Sequence, residues 1–206
     1  MKYFLPLFIA VIFSFSYCTK QSSLFLNKHP EQIIALQPLD SFSRQETDSI
    51  IQSLHRFFNK TVILLQPIVI PHNYFNGVIQ QYNADSILLL LSKMPNDTLV
   101  EIAGITHQPL FTIKEAQPVA YFDQHIFGLG YQPGNTCVVS DFKFKTADTM
   151  VYNRRMANVL LHEIGHNIGL SHCPDDKCIM SKNNGDIMTL DNCGNDYCST
   201  CRKKLQ

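Results

Sequence analysis

A chain of 206 residues is long enough for one domain with a sizeable core and too short for two ordinary ones. Its 17 Lys plus Arg are matched by 17 Asp plus Glu, so the basic excess of a nucleic-acid-binding surface is missing and no nucleic-acid partner is expected. With 45% apolar and 17% charged residues, the composition is that of a soluble, globular protein.

The N-terminus differs from the rest. Lys2 precedes an apolar run from Tyr3 to Phe15, broken by Pro6 and Ser14. Such a run is short for a membrane span and suits the core of a signal peptide. Small residues at Ser14 and Ser16 place a cut after residue 16. A second reading takes residues 1–17 as a lipoprotein signal, with a lipid anchor on Cys18. Either way an exported protein is expected, in the periplasm, at the cell surface or secreted. Residues 17–30 are polar and read as a tether.

Ile33 to Leu36 is a short apolar run and predicts a first strand. Ser43-Arg44-Gln45-Glu46 has the form of a capping box, and Ile50, Ile51, Leu54, Phe57 and Phe58 follow at helical spacing. A helix from about Arg44 to Asn59 is expected. Thr61 to Ile70 is β-branched and apolar with Pro67 inside it, and reads as a strand that ends near Gln66 or continues along an edge. Asn83 to Ser86 opens a second helix, and Leu99 to Thr106 is a third strand. Ile126 to Gly130 and Pro133 to Asn135 read as turns, and Thr136 to Ser140 as a strand. Thr146 to Asp148 offers an N-cap for a long helix that ends at Asn167-Ile168-Gly169. The order predicts an α/β fold with a mixed sheet. Beyond Gly169 the chain is rich in Cys, Asn, Asp and Gly. That composition buries too little apolar surface to order itself without a staple.

The chemistry lies in His162-Glu163-Ile164-Gly165-His166-Asn167-Ile168-Gly169-Leu170-Ser171-His172. On a helix, His162 and His166 project from one face, one turn apart, and can share a zinc ion. Glu163 stands beside the first ligand without ligating and has the place of a catalytic base that takes a proton from a zinc-activated water. Gly169 lets the chain leave the helix and turn back, so that His172 completes a three-histidine site. Cys173, Cys178, Cys198 and Cys201 follow as a C-x4-C and a C-x-x-C pair. Their spacing favours a second, structural zinc over disulfides, although export favours disulfides. Cys137 and Cys193 are left as structural or free thiols, and His125 as a structural histidine.

These residues resemble the metzincin metallopeptidases, and Cys173, Cys178, Met180, Cys198 and Cys201 sharpen the resemblance to the archaemetzincins. The family pattern H-E-x-x-H-x-x-G-x-x-H-C-x4-C-x-M-x17-C-x-x-C is matched at every spacing. The resemblance implies a metzincin-like zincin fold. Residues 31–169 would form an upper subdomain with a twisted mixed sheet and helices above the active-site helix. Residues 170–206 would form a small zinc-stapled lower one. It also implies peptide or protein substrates, with aminopeptidase-like cleavage suggested for some members. Met180 would be the Met-turn residue under the catalytic zinc, ahead of Met188. Val138 and Val139 would lie on the edge strand that pairs with substrate. Two zinc ions per chain are expected, one catalytic and one structural. The competing expectation is a catalytically silent protein that binds or sequesters zinc on the same scaffold.

Overall fold

The computed structural model describes residues 33–94, 99–113, 125–183 and 185–205. The signal segment, the tether and Cys18 lie outside the described residues. A five-stranded sheet has the order β2-β1-β5-β8-β7. Its strands are β1 (Ile33–Pro38), β2 (Thr61–Leu64), β5 (Leu99–Thr106), β7 (Gly128–Gly130) and β8 (Thr136–Ser140). The first four in spatial order are parallel, and β7 runs antiparallel to β8 at the edge. A smaller sheet joins β3 (Phe75–Asn76), β4 (Gln81–Asn83) and β6 (Leu110–Phe111).

Alternation along the strands divides the core in two. Ile34, Leu36, Ala103, Ile105, Cys137 and Val139 pack on α1 (Arg44–Phe58) and α3 (Thr149–Asn167). Ala35, Ile102 and Val138, between them in sequence, pack on α2 (Ala84–Leu91) on the opposite side. Helix starts follow the expected chemistry. Ser43 and Glu46 form the capping box of α1, and Asn83 caps α2. Asp148 accepts from the amides of Met150 and Val151 to start α3.

Gly169, at φ +96°, ends α3. The Gly169 amide donates to the His166 carbonyl and the Leu170 amide to the Gly165 carbonyl, each at 2.9 Å. This paired pattern reverses the chain at a left-handed residue that glycine adopts without strain. The C-terminal segment then adds α4 (Ile187–Asn192) and α5 (Ser199–Lys204). Asp191 of α4 pairs with Arg154 and Arg155 of α3 at 2.8 and 2.5 Å. Leu170, Cys178, Ile179, Met180, Leu190 and Tyr197 join the same apolar cluster as α1 and α3.

Two expectations need correction. Val138 and Val139 are not on an edge strand. They belong to β8, hydrogen-bonded to β5 on one side and β7 on the other, and are fully buried. The edge strand on that side is β7, in a stretch whose glycines read as turn signals in the sequence. Those glycines serve close packing instead, as shown below.

Candidate metal centres and active site

The three histidines come together at the end of α3, and their nearest ring nitrogens lie within 4.8 Å of one another. Each of the two helical histidines has its orientation fixed by a backbone carbonyl. His162 Nδ1 is 2.7 Å from the Ile179 oxygen, and His166 Nδ1 is 2.8 Å from the Leu170 oxygen. A carbonyl only accepts, so each Nδ1 carries the proton and each neutral ring presents a bare Nε2. Burial is the main cause that lowers the pKa of all three rings, for His162 to about 3, so they are neutral near pH 7. The Nε2 atoms of His162 and His166 face each other at 3.1 Å. Two lone pairs at that distance repel unless a cation lies between them. Ligands at 2.0–2.1 Å around a tetrahedral zinc stand roughly 3.3 Å apart, close to the observed spacing. The histidines therefore fit zinc in both geometry and tautomer.

The C-terminal segment packs against α3 between His162 and His166. Met180 is fully buried, and its sulfur occupies the space left by the missing side chain of Gly165. A β-carbon at Gly165 would collide with Met180 Sδ and come within 3.1 Å of the Tyr197 hydroxyl. That hydroxyl donates to the Leu161 carbonyl at 2.7 Å. Met188, the weaker candidate, is 72% exposed on α4 and has no such place.

Glu163 is buried and turned toward β7. A β-carbon built on Gly128 would lie 2.8 Å from Glu163 Cγ and 3.0 Å from its Oε1. One built on Gly130 would lie 2.5 Å from the Glu163 backbone oxygen. The pair of glycines thus lets the edge strand lie against the backbone of α3, while Leu129 between them packs toward α2.

The four cysteines form a second cluster, with sulfurs within 4.8 Å of one another. Cys173 and Cys198 are 3.7 Å apart, and Cys178 and Cys201 are 3.8 Å apart. A tetrahedron with zinc–sulfur bonds of about 2.3 Å has edges of roughly 3.8 Å. All six described cysteines are free of disulfide bonds. The donor set and spacing fit zinc. Cys137 is buried between the sheet and α3, and Cys193 caps α4, both outside this cluster.

The family model for peptidase family M54 matches residues 37–206. The chain belongs to that family. It is a hydrolase of the zinc metallopeptidase class. It is similar to the archaemetzincin of Archaeoglobus fulgidus, at 29% identity over 84% of this chain and 98% of that protein. The archaemetzincin of Methanopyrus kandleri is 31% identical over 66% of this chain and 73% of its own. The crystal structure of the Archaeoglobus fulgidus archaemetzincin, complexed with malonate, superposes with a TM-score of 0.72 at 27% identity. That match covers 84% of this chain and 99% of the other. The Methanopyrus kandleri structure shares the fold, with a TM-score of 0.73 over 86% of this chain and 94% of its own, at 24% identity.

The structure gathers His162, His166 and His172 into one group and Cys173, Cys178, Cys198 and Cys201 into another. His125 stands apart, its ring 5.2 Å from that of Phe142. Sequence reasoning missed the Ile179 and Leu170 carbonyls, which carry no side-chain signal. It also missed Gly128 and Gly130, whose spacing on a strand with one apolar residue between them was the available cue.

Proposed function

We propose that the protein cleaves peptide bonds with Glu163 as general base, at a zinc ion held by His162, His166 and His172, and that a second zinc is held by the four cysteines. The observation that carries this reading is the pair of bare, neutral Nε2 atoms facing each other at 3.1 Å, with the buried Glu163 next to His162 on the same helix. Zinc supplies Lewis-acid chemistry there, making water acidic near neutral pH and polarising a carbonyl. Glu163 takes a proton from the attacking water and delivers it to the departing amine. The Ile179 and Leu170 carbonyls hold the two helical imidazoles in place throughout. Met180, packed at Gly165 between the two helical histidines, would form the apolar floor of the site.

The substrate lies extended along the outer edge of β7, which has no strand partner among the described residues. The glycine face of β7 holds that edge at Glu163. Export is part of the same proposal and rests on Lys2, the apolar run to Phe15 and the small residues around Ser16. An alternative cut leaves a lipid on Cys18.

The experiment is cleavage of a peptide library by purified zinc-loaded protein. Chelator-sensitive cleavage is expected, with a loss of roughly 10²–10⁴-fold in Glu163→Gln at unchanged zinc content. Equal cleavage by both proteins would overturn the role of Glu163. Cleavage by neither would favour a silent zinc-binding protein.

A further inference from the structure

Behind α3 lies a buried carboxyl group that the hydrolysis described above does not use. Glu101 is 4% exposed, on the face of β5 turned toward α3. Asn167, also buried, donates its Nδ2 to Glu101 Oε1 at 2.6 Å. The thiol of Cys137 on β8 lies against the same carboxyl group. The register partner on β1 is the apolar Ile34. Cys137 of β8 and Tyr197 of the C-terminal segment feel the charge of Glu101, and Cys137 also feels that of Glu163. No cation is among these neighbours.

An ionised carboxylate in such a place is costly, and burial pushes the Glu101 pKa up to about 8. A leucine would fill the space at less cost. What glutamate adds is an acceptor for the Asn167 amide. Asn167 follows the ligand His166 directly and stands one helical turn beyond Glu163. Its backbone oxygen accepts from the Gly134 amide at 2.9 Å. Asn167 therefore ties the last turn of α3 to β5 by its side chain and to the β7–β8 connection by its backbone.

We propose that Glu101 is a positioning residue: its carboxyl group receives the Asn167 amide and so fixes the turn of α3 that carries Glu163 and His166. Its effect on rate rests on the hydrolytic reading. Its effect on zinc retention does not.

The test uses full-length zinc-loaded protein and compares wild type with Glu101→Gln, Glu101→Leu and Asn167→Ala. Glutamine keeps an uncharged acceptor for Asn167, whereas leucine keeps volume without one. The leucine and Asn167→Ala proteins are expected to lose about ten-fold or more in kcat with KM within about two-fold. They should also release zinc from the histidine site at a chelator concentration that leaves wild type loaded, followed by the ring NMR signals of His162, His166 and His172. Glu101→Gln should recover most of both losses. Equal behaviour of the leucine and glutamine proteins overturns the proposal. If wild type cleaves no peptide, the hydrolytic reading fails, and the zinc-retention comparison alone decides the role of Glu101.

Discussion

His162 Nδ1 donates to the carbonyl oxygen of Ile179 at 2.7 Å, joining the first histidine of α3 to the residue before Met180. This bond fixes which ring nitrogen carries the proton, while enclosure keeps the ring neutral. Burial, followed by the neighbouring His166, lowers the His162 pKa from 6.5 to about 3. In the metal-free protein the unfolded chain therefore binds a proton below pH 6.5 that the folded chain refuses. The stability contributed by neutral His162 is present above pH 6.5 and is lost as pH falls toward 3, at roughly 1.4 kcal/mol per unit. Thermal melts of metal-free protein should show this acid loss, and His162→Gln should flatten it. An unchanged slope would show that the ring is solvated.

Glu101 gives the opposite sign. Its folded pKa, about 8, is raised above the ordinary value of 4.5. The folded state holds a proton between these values that the unfolded state releases. Stability from this group is full below pH 4.5 and falls as pH rises to about 8. Glu101→Gln should thus melt higher than wild type at pH 8, with a difference that shrinks toward pH 5.

Gly165→Ala sets two effects against each other. Alanine improves helix propensity by about 1 kcal/mol. Its methyl group would overlap Met180 Sδ inside a filled core, which costs about 1–3 kcal/mol. A net loss of stability is expected, with weaker zinc retention because Met180 and Ile179 share one turn. Melting temperature and zinc content check both.

The glycines of β7 can be tested against a neutral control. Gly130→Ala would press a methyl group to 2.5 Å from the Glu163 backbone oxygen, and a backbone atom in α3 cannot move aside. The strand must shift, and cleavage should fall by about ten-fold or more. Gly77 has no atom within 4 Å of its added β-carbon, so Gly77→Ala should stay within about 0.5 kcal/mol of wild type.

Substituting Cys178→Ser or Cys201→Ser should remove one of two zinc ions and lower the melting temperature. Elemental analysis and calorimetry measure this. One zinc in the wild type, with two disulfides, would sink the four-cysteine site and leave the histidine site standing.

Much of this was legible in the sequence because it depends on local spacing. The capping box at Ser43, the N-caps of α2 and α3, and the end of α3 at Gly169 all follow from residues within a turn of one another. The histidines and cysteines were readable because ligand spacing is a local pattern with a geometric meaning. Strand order is not local. Nothing around Val138 tells that Gly128–Gly130 will pair outside it, and a glycine-rich strand looks like a turn until the helix it must approach is known. The Glu101–Asn167 contact spans 66 positions and was equally hidden.

Cys173 follows His172 without an intervening residue, and Cys178 immediately precedes the Ile179 whose carbonyl orients His162. The Cys173 amide also bonds to the Met180 carbonyl, closing the segment on itself. The sulfur cluster and the histidine cluster therefore share one short stretch of backbone, and the residues that gather the thiols are next to those that place two of the three imidazoles.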